Sequence, residues 1–154
     1  MQYYKKIINK LINLEITLAL AESCTGGLLS YSFVKHKGIS KILKCGIVCY
    51  SDKSKKTYLN VSEETINKFG AVSYQVAVEM INGLYKKNNC KLCISTTGIA
   101  GPDGGSKNKP VGLVFIGIKY NNNNNIYKKK FVGSRIIIQK KTVEFIFNKI
   151  NLLI

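Results

Sequence analysis

A hydroxyl, a thiol and a second hydroxyl stand in a row at Ser23, Cys24 and Thr25, directly before the pair Gly26-Gly27. Glycines let a backbone approach a ligand closely, and a helix starting there presents unpaired N–H groups. The plain reading is a tight turn with Ser23 or Thr25 as a helix cap. The chemical reading makes Ser23 a nucleophile, with backbone N–H groups near Cys24, Thr25, Gly26 and Gly27 forming an oxyanion hole. Cys24 is the rival nucleophile. A serine needs a base. The only histidine, His36, lies toward the far end of the following helix, roughly 15 Å along its axis at 1.5 Å per residue. It reads as a surface residue, so a Ser-His-Asp triad is not expected. A lysine can serve when burial or nearby cations bring its pKa to about 7–8. Lys53 and Lys55, in the run Tyr50-Ser51-Asp52-Lys53-Ser54-Lys55, are placed to do so.

A third segment, Thr97-Gly98-Ile99-Ala100-Gly101-Pro102-Asp103-Gly104-Gly105, is rich in glycine. Such loops wrap anions through backbone N–H groups. It has neither the GxxxxGK nor the GxGxxG spacing, so it is not a P-loop or a dinucleotide fingerprint. Its plain reading is a long structural loop.

These segments need elements to position them. Hydrophobic periodicity and punctuation predict helices over 2–14, 26–37, 63–69, 74–87 and 135–152, with a short helical turn near 53–58. Ser62, Ser73 and Ser134 are the expected N-caps. Strands are predicted over 16–21, 44–50, 92–97, 111–119 and 126–132, with Asn121 to Asn125 as a lengthened hairpin loop. Strand–helix–strand order at the start implies parallel pairing. The near-continuous apolar run over 111–119 suits a strand covered on both faces, and Lys128, Lys129 and Lys130 suit an edge. The expected fold is α/β: a three-layer α/β/α sandwich around a mixed, largely parallel sheet, in one domain. In such sheets ligands bind at the carboxyl ends of the strands. All three segments fall there, and Arg135 falls on the same rim if the last two strands form a hairpin.

Composition narrows the function classes. The chain has 154 residues, of which 45% are hydrophobic and 21% charged, a globular profile. No apolar stretch approaches the roughly 20 residues that span a bilayer. Lys10 and Glu15 interrupt the first apolar stretch, so it reads as a surface helix and not a secretory signal. The five cysteines, an odd number without an export signal, read as buried apolar residues of a reducing cytoplasm. A zinc site built from Cys90-x-x-Cys93 and the Cys45/Cys49 pair is the weaker alternative. The net charge of +16 invites a nucleic-acid reading, yet every basic residue except Arg135 is lysine. Nucleic-acid binders use arginine for phosphate forks and base edges. Asn, Ile, Lys and Tyr share A/T-rich codons, so compositional drift accounts for the charge. Arg135 then stands out as a place that needs a planar guanidinium.

The motifs AESCTGG (21–27), YS-x-x-x-K (50–55), SEETINKFGAVS (62–73) and TTGIAGPDGGSKNKPVG (96–112) resemble those of the CinA C-terminal domain family, over about residues 5–145. Characterised enzymes of that family are nicotinamide mononucleotide amidohydrolases. Its longer members carry an additional N-terminal domain, and this chain resembles the stand-alone form. The resemblance implies hydrolysis of a nicotinamide carboxamide to a carboxylate, with release of ammonia, in pyridine nucleotide salvage. It implies a Ser–Lys pair with no metal and no cofactor: Ser23 as nucleophile and Lys55 as base, with Tyr50 beside them. Cys24, Thr25, Gly26, Gly27, Thr97, Gly98, Ile99, Ala100, Gly101, Gly104, Gly105 and Arg135 would bind the nucleotide. A homo-oligomer is implied, and neither a membrane nor a nucleic acid is an expected partner. Two departures stand out: Asp52 replaces an asparagine, and Ile136 to Gln139 replace acidic and basic residues after Arg135. A binding or regulatory domain of the same fold that has lost turnover is therefore the alternative. A basic nucleic-acid-associated protein ranks third.

Overall fold

The computed structural model describes residues 2–154. Five strands form one sheet in the order β2-β1-β3-β4-β5. They are β1 (Leu18–Glu22), β2 (Leu43–Val48), β3 (Leu92–Gly98), β4 (Leu113–Tyr120) and β5 (Asn123–Lys130). β1 pairs in parallel with β2 and β3, while β3–β4 and β4–β5 are antiparallel. Both expectations, parallel pairing at the start and a closing hairpin, match this sheet.

Alternation along β1 builds the two faces. Leu18 and Leu20 face a core filled by α1 (Gln2–Asn13), α2 (Leu28–Val34) and α6 (Arg135–Leu153). Phe147 of α6 stacks on Tyr4 of α1 and Phe33 of α2, with ring centroids 4.0 and 4.8 Å apart, so three helices share one aromatic contact. Ala19 and Ala21 face the other layer, α3 (Asp52–Leu59), α4 (Glu63–Phe69) and α5 (Tyr74–Asn88), where Met80, Ile81 and Leu84 fill the space. β4 is buried through Ile118. The result is a three-layer α/β/α fold with a mixed sheet.

Ser62 and Ser73 cap α4 and α5 by accepting the N–H groups of Thr65 and Val76. Ser134 makes no side-chain cap to α6. The helix expected from residue 26 starts at Leu28, because Gly26 and Gly27 have positive φ. It ends at Val34, before the single 3-10 turn Ile39–Lys41. The turn near 53–58 is a full helix, α3, capped by Ser51, which accepts from Ser54 N–H at 3.1 Å.

The asparagine run corrects the expected long loop. Only Asn121 and Asn122 form the turn, and Asn123 to Asn125 pair with β4. Asn121 takes a left-handed φ of 52°, which asparagine tolerates better than most residues, so a two-residue hairpin suffices. The cysteine thiols of Cys90 and Cys93 donate to the carbonyl oxygens of Asn88 and Cys90. Among the described residues no three His, Cys, Asp or Glu side chains gather to hold a metal ion. No helix among them is long and apolar enough to cross a membrane.

Candidate active site

The turn after β1 is built from the strand outward. Ser23 N–H donates to Thr96 O on β3 at 3.0 Å, tying the turn to the centre of the sheet. Thr25 and Thr96 share a hydroxyl hydrogen bond of 2.9 Å. Gly27, at φ 99°, provides the entry to α2 that a side-chain-bearing residue would strain. Neither Ser23 nor Thr25 caps this helix. The carboxylate of Glu22 does, accepting N–H groups from Gly27 and Leu29 at 3.0 Å each and from Ser30 at 2.7 Å.

Ser23 opens onto a cavity of about 250 Å³ at the carboxyl ends of β1 and β3. Cys24, Tyr50, Thr97, Gly98, Ile99, Ala100, Gly101, Gly104 and Arg135 line it as well. Segments distant in sequence therefore meet at one edge of the sheet, as expected from the motif positions. Thr25, Gly26, Gly27, Lys55 and Gly105 do not line the cavity. Thr25 is buried against Thr96, and the two glycines shape the turn.

Asp103, within the glycine-rich segment, lines the cavity too, and so do Ala71 and Val72, which were not singled out as site residues. Ala71 and Val72 lie inside the segment SEETINKFGAVS, whose signal was a motif without an evident chemical group. The Thr97 hydroxyl donates to Ala71 O at 2.9 Å, so it holds this wall.

Lys55 is 2% exposed and lies on the buried side of α3, one turn before Leu59. Its Nζ donates to Tyr50 O at 3.2 Å and stands 4.0 Å from Asp52 Oδ1. Burial holds its pKa below the ordinary lysine value, against the opposing pull of Asp52, Cys49 and Cys24. Lys53, its rival, is exposed. Among the described residues no hydrogen bond joins Lys55 to the Ser23 hydroxyl.

Burial pushes the Cys24 thiol up to about 12, although a hydrogen bond to Thr96 pulls it down. A thiol held neutral is a poor nucleophile, so Cys24 is the weaker rival. His36 is a half-buried residue at the surface, between exposed Lys35 and Lys37. Burial, followed by Lys35 and Lys5, lowers its pKa, and its enclosed Nε2 has no partner among the described residues.

Arg135 spans the cavity. Nη1 donates to Gly101 O at 2.7 Å and Nη2 to the Tyr50 hydroxyl at 2.6 Å. One guanidinium thus joins the loop after β3 to the segment after β2, which a lysine's single ammonium does less well. Gln139, one turn further along α6, donates to Cys24 O at 2.9 Å and takes part in holding the turn after β1.

The family model of the CinA C-terminal domain matches residues 1–154. The chain belongs to this family. A relative from Clostridium tetani, carrying the provisional name competence-damage inducible protein, is 50% identical over 135 residues. That match covers 86% of this chain and 32% of the relative. A relative of the same name from Clostridium novyi is 47% identical over 133 residues, covering 86% of this chain and 32% of its own length. The chain thus spans about a third of the curated relatives it matches. Among solved structures, a competence/damage inducible protein from Agrobacterium tumefaciens superposes with a TM-score of 0.93 at 34% identity, over 99% of this chain and 93% of that one. A CinA superfamily protein from Escherichia coli gives 0.92 at 28% identity, over 99% and 88% of the two chains.

Proposed function

We propose that this CinA-family domain hydrolyses the carboxamide of nicotinamide mononucleotide to nicotinic acid mononucleotide and ammonia. The observation that carries the reading is Ser23 opening on the cavity at the carboxyl ends of β1 and β3, supported by a buried Lys55 of depressed pKa on α3, held at Tyr50 O. Lys55 in its neutral form takes the Ser23 proton as Oγ attacks the carboxamide carbon. Backbone N–H groups of the turn hold the oxyanion. Collapse breaks the C–N bond, and the proton on Lys55 leaves with the amine as ammonia. Water then hydrolyses the acyl ester, Lys55 taking its proton and returning it to Ser23.

Ligand pockets usually enclose about 300–1,000 Å³. A cavity of about 250 Å³ suits the nicotinamide head, with Val72 and Ile99 as apolar walls. The ribose phosphate would extend past the loop that Arg135 anchors. Catalysis requires Lys55 to reach Ser23, so a rotation of its side chain away from Tyr50 O belongs to the mechanism.

The direct test is ammonia release from nicotinamide mononucleotide, with Ser23→Ala as control. Turnover that disappears in the variant supports both the reaction and the nucleophile. Nucleotide binding without ammonia, in the folded parent, would favour the domain that binds and no longer turns over. The commitment of Lys55 Nζ to Tyr50 O is the observation on that side.

A further inference from the structure

Glu22 is the last residue of β1 and is fully buried. Its carboxylate accepts three backbone N–H groups and, among the described residues, pairs with no lysine or arginine. A carboxylate only accepts, and its bonds are stronger than those of a neutral oxygen. The start of α2, where N–H groups point outward, supplies the compensating positive field.

The N–H groups of the turn can be followed one by one. Ser23 donates to Thr96 O, Gly26 to Ser23 O and Leu28 to Thr25 O. Gly27, Leu29 and Ser30 donate to Glu22. Among residues 23–30, Cys24 and Thr25 are left, with no oxygen receiving their N–H groups; that of Cys24 meets only its own thiol, a weak acceptor. Cys24 directly follows Ser23 and lines the cavity.

We infer that Glu22 is a positioning residue for the Ser23 nucleophile. By engaging the N–H groups of Gly27, Leu29 and Ser30, it closes the start of α2 to substrate anions and fixes the turn. The Cys24 N–H is then the donor left beside the cavity to meet an oxyanion formed on Ser23. The inference rests on the serine-nucleophile part of the proposed function and is independent of the substrate. It also places the phosphate of a nucleotide away from α2, on the side of Arg135.

The test uses an alkyl fluorophosphonate, which reads serine activation without reference to nicotinamide. The Ser23 Oγ–P bond forms as the P–F bond breaks, fluoride leaves, and the serine proton passes to Lys55. The phosphoryl oxygen occupies the oxyanion position. Glu22→Gln keeps the side-chain volume but sets an NH2 group against an N–H donor. Labelling of Ser23, located by peptide mass spectrometry, should slow by about 100-fold, the cost of misplacing a reacting group by about 1 Å. A Glu22→Gln protein that melts lower but labels at the parental rate would show a merely structural role and overturn the inference. If Glu22→Gln does not fold, Glu22→Asp, which retracts the carboxylate by one methylene, is read against the same two outcomes. A folded parent that never labels overturns this inference and the serine mechanism together. A parent that labels without releasing ammonia from nicotinamide mononucleotide defeats the proposed substrate alone, and the Glu22 comparison still decides.

Discussion

Arg135 and Tyr50, 85 residues apart in sequence, are joined by a 2.6 Å hydrogen bond from the guanidinium to the phenol. The other arm of the same guanidinium holds Gly101 O at 2.7 Å. The first residue of α6 therefore sets the distance between the segment after β2 and the loop after β3. Those two segments form opposite parts of the cavity that contains Ser23.

Arg135→Lys keeps the charge and loses the fork. A hydrogen bond to a charged group is worth about 1.5–3 kcal/mol, so loss of one arm should weaken the clamp by about that much. The expected outcome is a KM for nicotinamide mononucleotide raised about tenfold or more, with kcat less affected. Tyr50→Phe removes only the phenol contact and should give the smaller change. Steady-state kinetics on the two variants and their combination checks this, and equal KM values in all would refute it.

Lys55 must be neutral to act as a base. Its depressed pKa predicts a kcat/KM that rises with pH through a midpoint below the ordinary lysine value of about 10.4. Lys55→Arg, charged at all working pH values, should lose turnover by about 10²–10⁴-fold. A pH–rate profile on the parent, flat between pH 6 and 10, would remove Lys55 from the mechanism.

The same shift has a consequence for stability. Because the folded-state pKa lies below the unfolded value, the unfolded chain binds the extra proton between the two. The penalty is full at pH values below the folded pKa and disappears as pH rises through the interval. Lys55→Met should therefore melt above the parent at neutral pH, with the gain shrinking toward pH 10. Thermal unfolding at several pH values checks the sign.

Cys24, with its thiol held up to about 12, should resist alkylation at pH 8 in the folded protein. Cys24→Ala should keep turnover within about tenfold, because the backbone N–H survives while a small buried group is lost. A folded Cys24→Ala protein without turnover, beside a parent that alkylation inactivates, would return Cys24 to consideration as nucleophile.

Gly83 lets α5 pass the end of α3, where a Cβ would fall 1.7 Å from Leu59 O. The clash is with backbone, so Gly83→Ala must push α3 and α5 apart. Overpacking of this kind costs about 1–3 kcal/mol. Since α3 carries Lys55, the variant should lose both melting temperature and kcat, whereas a purely remote cost would lower only the first.

The sequence by itself determined the order of strands and helices, the hairpin at the end of the sheet and the caps at Ser62 and Ser73. Those features follow from local periodicity and turn chemistry, which neighbouring residues control. It also marked Ser23, Thr97 and Arg135, because glycine-rich turns and a lone arginine are visible without coordinates, and the family resemblance added Tyr50. Residue types alone left Lys53 and Lys55 open and the family resemblance pointed to Lys55; only the tertiary structure showed that Lys55 is buried while Lys53 is exposed. Likewise, only the fold revealed that Glu22 and not Ser23 or Thr25 caps α2. A carboxylate at the end of a strand reaches back to a helix start through the curvature of the turn, and no local pattern encodes that reach. The walls at Ala71 and Val72 were silent for the same reason: apolar residues in a loop acquire a role only when a cavity closes around them.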